Sequence, residues 1–172
     1  TPVITNPGII DKFGIQSIQF LAADIASCSQ VKVRVTTNQV MTSYCRDFIC
    51  NSVSSSAVEF IAIRGVNITF KAVRNSSTVT QNISVPPLLN TPDLIILNTP
   101  FGATVSASVQ NSNGLNLQYS INNSNWQTNN TFGGLDIGNY TLYVRDQYGC
   151  SKSKTFSVLE NSFGNKPFAF IS

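Results

Sequence analysis

A regular alternation of apolar and polar residues within residues 117–150 constrains the fold of this chain more than any other feature of its sequence. Apolar or aromatic residues occupy every second position in residues 117–121 and again in residues 140–144. A period of two puts successive side chains on opposite faces of a β-strand, so each segment has one buried face and one solvated face. The sequence therefore predicts two strands of an antiparallel sheet.

A bend between these two strands is predicted by the spacing Leu-x-x-Gly-x-Tyr, formed by Leu135, Gly138 and Tyr140. This spacing is typical of a tyrosine corner, in which the glycine permits the bend and the tyrosine hydroxyl bonds to upstream backbone. Gly149 follows in a second turn, where we expect a positive φ. These four fold-determining residues together indicate a Greek-key β-sandwich.

The second half of the chain resembles the SprB-type repeat, an immunoglobulin-like module of large Bacteroidota surface adhesins that also occurs in tail or fibre proteins of their phages. The resemblance covers Asp93 to Leu159 and lies in Tyr119-Ser-Ile-Asn-Asn, Trp126-Gln127, Phe132, Leu135, Gly138, Tyr140-Thr-Leu-Tyr-Val, Asp146 and Gly149-Cys150. It implies an immunoglobulin-like fold. Two departures stand out: Trp126 replaces the usual phenylalanine, and residues 93–110 lack the cysteine that often partners the Gly-Cys end. The family's intradomain disulfide is therefore not implied.

The rest of the chain predicts a second domain of the same class. At 172 residues, the chain has room for two sandwiches of ordinary size. The proline pair at positions 86 and 87 marks a stiff connector, because proline fixes φ and removes an amide donor. We therefore predict an all-β fold of two consecutive antiparallel, immunoglobulin-like β-sandwich domains. Their bounds are 1–87 and 88–160, and residues 161–172 form a tail or lead into a further segment.

Within the first half, residues 30–36 show the clearest strand, with Val31, Val33 and Val35 facing one way. Further strands are expected in residues 14–21, 58–64, 67–73 and 78–85. Alternation is lost in residues 37–57, which we interpret as a long loop. That loop is either a binding loop or a plain connection.

The four cysteines of the chain limit which disulfides it can form. Cys28 with Cys45 or Cys50 is a possible disulfide if the protein matures outside the cytosol, whereas a protein assembled in reducing cytoplasm would keep all four thiols. Cys150 is alone in the second half, so two intradomain bridges are not expected. A zinc site is disfavoured, because the chain has no histidine and no Cys-x-x-Cys pair.

Enzymatic activity is not expected. Without histidine, the commonest general base and the usual partner of a serine or cysteine nucleophile are missing, and no phosphate-binding or dinucleotide motif occurs. The eight acidic residues are scattered. Asp136 and Asp146 flank one strand and could hold calcium, but acids that cap backbone amides in turns explain them better. We predict no catalytic residue, cofactor or metal site.

One aromatic set is a candidate binding surface. Trp126, Tyr143 and Tyr148 could form a stacking platform for a sugar. The alternative is that Trp126 packs in the core, where the SprB-type pattern has phenylalanine, and we favour this alternative.

Together these observations predict a non-enzymatic structural or adhesive protein of a phage virion infecting Bacteroidota, such as a spike, fibre or tail component. The leftover cysteine and the aromatic tail favour that setting over a secreted Bacteroidota cell-surface adhesin module; a carbohydrate-binding accessory module is a further alternative. Expected partners are proteins, by self-association or with neighbouring virion or surface proteins, and glycans are a second class. The net charge of +3 does not favour nucleic acid, and no apolar run is long enough to insert in a membrane. The expected location is the virion, the extracellular space or the cell surface.

Overall fold

The computed structural model describes residues 12–23, 28–99, 102–161 and 166–171, and all regular structure in them is β-strand. The chain divides into two compact units. Unit 1 comprises residues 1–21, 32–62 and 66–85, and unit 2 comprises residues 22–31, 63–65 and 86–172. The prediction of an all-β chain is confirmed.

The described residues of unit 1 form one five-stranded sheet. Its strands are β1 (Ile15–Ala23), β2 (Gln30–Arg46), β3 (Ile49–Ile63), β4 (Ile68–Arg74) and β5 (Ser77–Ile83). Strand β2 pairs with β1, β3 and β4. It can pair with three strands because it is 17 residues long and β4 pairs only with its last four residues. Val31, Val33 and Val35 are fully buried, so the predicted alternation in this strand is confirmed.

The loop predicted for residues 37–57 is wrong. These residues lie almost entirely in β2 and β3, which a two-residue turn at Asp47 and Phe48 joins into a long hairpin. The sequence pattern hides the hairpin because both faces of residues 49–57 are largely solvated. Sheet pairing satisfies the backbone groups there without an apolar side chain at every second position.

Unit 2 contains two antiparallel sheets. One consists of β6 (Asp93–Thr99), β7 (Gly102–Ser108) and β9 (Thr131–Leu135). The other has the order β12, β11, β10, β8, with β8 (Gln118–Ser120), β10 (Gly138–Arg145), β11 (Ser151–Asn161) and β12 (Lys166–Ile171). Both sheets contribute alternate buried residues to the core of this unit, among them Leu94, Val105, Leu142, Val144, Phe156 and Val158.

The end of the chain adds a strand to unit 2. Strand β12 pairs antiparallel with β11 and contacts β6 of the other sheet. Part of the predicted tail or lead-in, residues 161–172, is therefore a sheet strand. Residues 162–165 and 172 of that segment, and residues 1–11 of the predicted first domain, lie outside the described residues.

The switch between units near the proline pair falls between residues 85 and 86, close to the predicted boundary at 87. Two short segments of the first half, residues 22–31 and 63–65, belong to unit 2, and no pattern in the sequence indicated this. The division into two sandwich domains remains a prediction.

Candidate binding surface

The turn at residues 146–150 is organised by a buried carboxylate. Oδ1 of Asp146 accepts hydrogen bonds from the backbone N–H of Tyr148 at 2.9 Å and of Cys150 at 3.1 Å. Gly149 has a φ of +86°, as the turn pattern predicts. Asp146 thus caps the turn amides, while Asp136 is exposed and its backbone carbonyl accepts the Tyr140 hydroxyl.

A buried arginine completes this turn. Nη2 of Arg64 donates to Oδ2 of Asp146 at 2.7 Å, and neither side chain has solvent-exposed area. The guanidinium also lies 5.3 Å from the ring centroid of Tyr148, whose pKa is raised mainly by burial. Nε and Nη1 of Arg64 have no hydrogen-bond partner among the described residues. The sequence pattern does not indicate a buried role for Arg64, because an Arg-Gly pair between two strands is typical of an exposed turn.

The disulfides differ from the sequence prediction. Cys28 pairs with Cys150 and Cys45 pairs with Cys50, so no cysteine is free and the expected bridge from Cys28 to Cys45 or Cys50 does not form. The expectation that two intradomain bridges cannot form failed because residues 22–31, which include Cys28, belong to unit 2. Each disulfide therefore lies within one unit.

The predicted aromatic platform does not assemble as a set of three. The Arg145 guanidinium lies 4.1 Å from the ring centroid of Trp126 and covers one face of the indole, while its Nε donates to Gln118. Tyr143 is half-buried on the same strand as Arg145, but Tyr148 is buried and contacts Arg64. Trp126 itself is half-buried, so it is neither an exposed sugar platform nor a fully enclosed core residue.

The tyrosine corner has the predicted hydrogen bond. The Tyr140 hydroxyl donates to the backbone carbonyl of Asp136 at 3.0 Å, its ring stacks on Phe156, and Leu135 is buried. The role assigned to Gly138 was wrong, since its φ is not positive. A Cβ at this position would lie 3.7 Å from the Tyr140 ring, which is an ordinary van der Waals distance, so packing against that ring does not require glycine either.

The most exposed apolar side chain on the described surface is at the end of the β2–β3 hairpin, which we call the hairpin tip (residues 46–49). Phe48 is 100% exposed and Ile49 is 61% exposed. Asp47 adopts a φ of +54°, its N–H donates to the Thr69 carbonyl at 2.8 Å, and its Oδ1 accepts from the Thr69 N–H at 2.9 Å. Asp47 thus ties the hairpin tip to the neighbouring strand β4.

Two further features hold the hairpin tip in place. The Cys45–Cys50 disulfide joins the two strands one residue before and after it. Below that bridge, the rings of Tyr44, Phe60 and Phe70 stack with centroids 5.8 to 6.4 Å apart, and the Arg46 guanidinium lies 5.5 Å above Phe60. The backbone of the hairpin tip is therefore fixed while the Phe48 ring remains uncovered.

Other kinds of site are not found in the part of the chain that the structure describes. No three histidine, cysteine, aspartate or glutamate side chains there come together in a way that could hold a metal ion. In the same residues, no helix has the length and apolarity needed to cross a bilayer.

Comparisons with known proteins leave the family open. No family model matches the sequence, and no curated protein is significantly similar to it. Among solved structures, the human OSCAR ligand-binding domain is similar in fold, with 11% sequence identity, a TM-score of 0.43, and coverage of 94% of this chain and 97% of that chain. The resemblance to the SprB-type repeat accordingly remains a prediction.

Proposed function

We propose that this chain is a non-enzymatic adhesive module that works outside the reducing cytosol and binds a protein partner. The observation that carries the proposal is the hairpin tip, where a fixed backbone holds the fully exposed ring of Phe48. Burial of such a ring in a complementary pocket is favourable by about 2 to 3 kcal/mol relative to leaving it in water. Aromatic anchors of this kind are enriched in the cores of protein interfaces.

The construction of the hairpin tip supports binding rather than plain connection. Association costs free energy whenever a loop or side chain must be ordered, and a loop that is already held in place avoids much of that cost. The Cys45–Cys50 disulfide and the two hydrogen bonds between Asp47 and Thr69 supply this order before any partner arrives. A plain connection between strands would not need an uncovered phenylalanine.

The disulfides indicate an oxidising environment, since such bonds persist in secreted and surface proteins and are rare in the cytosol. This favours a cell-surface adhesin module, of the kind that the SprB-type resemblance implies, over a virion protein assembled in cytoplasm. One of the two observations that favoured the virion alternative was a cysteine without a predicted partner. Cys150 instead forms a disulfide with Cys28. Two immunoglobulin-like sandwich domains and a capacity for self-association belong to the same proposal.

Bead adhesion under flow tests the proposal directly. Beads coated with the oxidised protein are passed over surfaces that carry either the protein itself or one of a panel of purified extracellular proteins. We expect retention on at least one of these surfaces and a loss of at least tenfold with Phe48→Ser, which removes the apolar ring without disturbing any packed residue.

The matched control is Leu97→Ser, which removes an equally apolar side chain, 61% exposed, from strand β6 of unit 2. This variant should be retained like the unsubstituted protein. Equal retention of the Phe48→Ser beads, or no retention on any surface, would overturn the proposal.

A further inference from the structure

A second surface feature of unit 1 is a polar pocket of about 410 Å³. This volume lies within the range of roughly 300 to 1,000 Å³ that is usual for small-molecule sites. The pocket is lined by two cationic, one aromatic and four uncharged polar side chains: Lys12, Arg74, Phe13, Gln39, Asn75, Ser76 and Ser77. None of these described lining residues is acidic.

One wall of the pocket is held by a single asparagine. Asn38 on β2 donates from Nδ2 to the Lys12 carbonyl at 2.9 Å and accepts from the Gly14 N–H at Oδ1, also at 2.9 Å. Its backbone N–H donates to the Gly14 carbonyl at 3.1 Å. These three hydrogen bonds hold the backbone of residues 12–14 beside β2, and Lys12 and Phe13 of this segment line the pocket.

A second part of the lining is the turn between β4 and β5. Arg74 pairs with Ser77 across the hairpin, and Asn75 occupies the turn with a φ of +53°. A two-residue turn with a left-handed residue is a compact and well-defined loop. It places one guanidinium, one carboxamide and two hydroxyl groups within the same short segment.

Within the described residues, no acidic side chain compensates the charge of the pocket. Neither Lys12 nor Arg74 forms an ion pair with any described residue, whereas Glu59, elsewhere in unit 1, binds both Lys32 and Arg34. Unit 1 carries six lysines and arginines against three acids, and unit 2 carries five of each. The positive net charge of the protein is thus confined to unit 1.

We propose that this pocket binds a carboxylate-bearing monosaccharide unit, such as a uronic acid, of an acidic glycan. The planar guanidinium of Arg74 matches a carboxylate in bidentate geometry, and Lys12 adds a second charge-assisted donor. The hydroxyl groups of Ser76 and Ser77 and the amide of Asn75 provide donors and acceptors for sugar hydroxyl groups. Phe13 adds an apolar surface for the C–H face of a pyranose ring.

The choice of a sugar acid over a bare anion follows from the composition of the lining. A site for a small inorganic anion needs only cations and N–H donors, and would have no use for a phenyl ring or a volume of this size. A neutral sugar, conversely, would leave two cations without partners. A carboxylate on a polyhydroxylated ring would contact both the cationic side chains and the uncharged polar side chains of the pocket.

Calorimetry with a matched pair of ligands tests this inference. Methyl glucuronide and methyl glucoside differ only in a carboxylate in place of a hydroxymethyl group. We expect the glucuronide to bind the full oxidised chain at least tenfold more tightly than the glucoside, and Arg74→Gln to weaken it at least tenfold. Lys71→Gln, which removes an exposed cation of the same unit outside the pocket, should leave the affinity unchanged.

Two further variants test whether binding depends on the position of residues 12–14 and whether it is independent of the hairpin tip. Asn38→Ala keeps every lining side chain but removes two hydrogen bonds to residues 12–14, and should weaken glucuronide binding while sparing the circular dichroism spectrum. Phe48→Ser should leave glucuronide binding intact, so the failure of one proposal is distinguishable from the failure of the other. Equal binding of glucoside and glucuronide, sulfate binding as tight as that of glucuronide, or full binding by Arg74→Gln would each overturn the inference.

Discussion

Arg64 and Asp146, separated by 82 residues in sequence, form an ion pair at 2.7 Å from which solvent is excluded. The same carboxylate also caps the turn that holds Tyr148 and Cys150. The pair therefore links residues 63–65 to the turn at residues 146–150 within unit 2 through one buried contact. Because two nitrogens of the guanidinium, Nε and Nη1, lack a hydrogen-bond partner among the described residues, the ion pair only partly offsets the desolvation of Arg64.

Removing one member of this pair should be strongly destabilising. Arg64→Ala leaves the Asp146 carboxylate buried without its counter-ion, and we expect the free energy of unfolding to fall by about 3 to 5 kcal/mol. Urea unfolding followed by tryptophan fluorescence measures the change. The matched control is Arg34→Ala, which removes an arginine from the exposed pair with Glu59 and should cost far less. Similar losses in the two variants would contradict a special role for the buried pair.

The two disulfides should differ in what they contribute to stability. Cys28–Cys150 closes a loop of 122 residues and Cys45–Cys50 a loop of 5. On the chain-entropy account, replacing both cysteines of the long loop by serine should cost about 5 kcal/mol, and of the short loop about 2 kcal/mol. Denaturant unfolding of the two double variants under non-reducing conditions tests the order. The reverse order would show that native-state strain or residual structure outweighs loop entropy.

Stability should fall in alkaline solution because of two buried tyrosines. Burial raises the pKa of both Tyr119 and Tyr148 above the usual value near 10. The unfolded chain therefore releases these protons at a lower pH than the folded protein does, and the stabilisation present below pH 10 is lost as the pH rises through the raised pKa values. Unfolding free energies measured from pH 8 to 11.5 should decline less steeply in Tyr148→Phe than in the unsubstituted protein. An identical decline would contradict the assignment.

The hydrogen bond of the tyrosine corner should have a measurable effect on stability. Tyr140→Phe removes only the hydroxyl that donates to the Asp136 carbonyl, and we expect a loss of about 0.5 to 1.5 kcal/mol. Tyr143→Phe on the same strand is the control, since that hydroxyl has no hydrogen bond among the described residues. Thermal unfolding of both variants in parallel makes the comparison. Equal transition temperatures in the two variants would mean that the corner bond adds nothing net.

The sequence alone determined those features that depend on local periodicity and turn chemistry. The alternation in residues 30–36, the corner bond of Tyr140 and the positive φ of Gly149 all follow from residue type and spacing within a few positions. Local patterns carry this information because a strand with one buried face must alternate, and a tight turn must use residues that tolerate its dihedral angles.

Tertiary structure alone decided which distant residues meet. The pairing of Cys28 with Cys150, the ion pair of Arg64 with Asp146 and the Arg145 guanidinium over Trp126 depend on how the chain returns across tens of residues. The hairpin tip escaped detection for a related reason, since a strand solvated on both faces has no hydrophobic period to reveal it. Its pairing energy comes from a partner strand, and no local pattern encodes the identity of that partner.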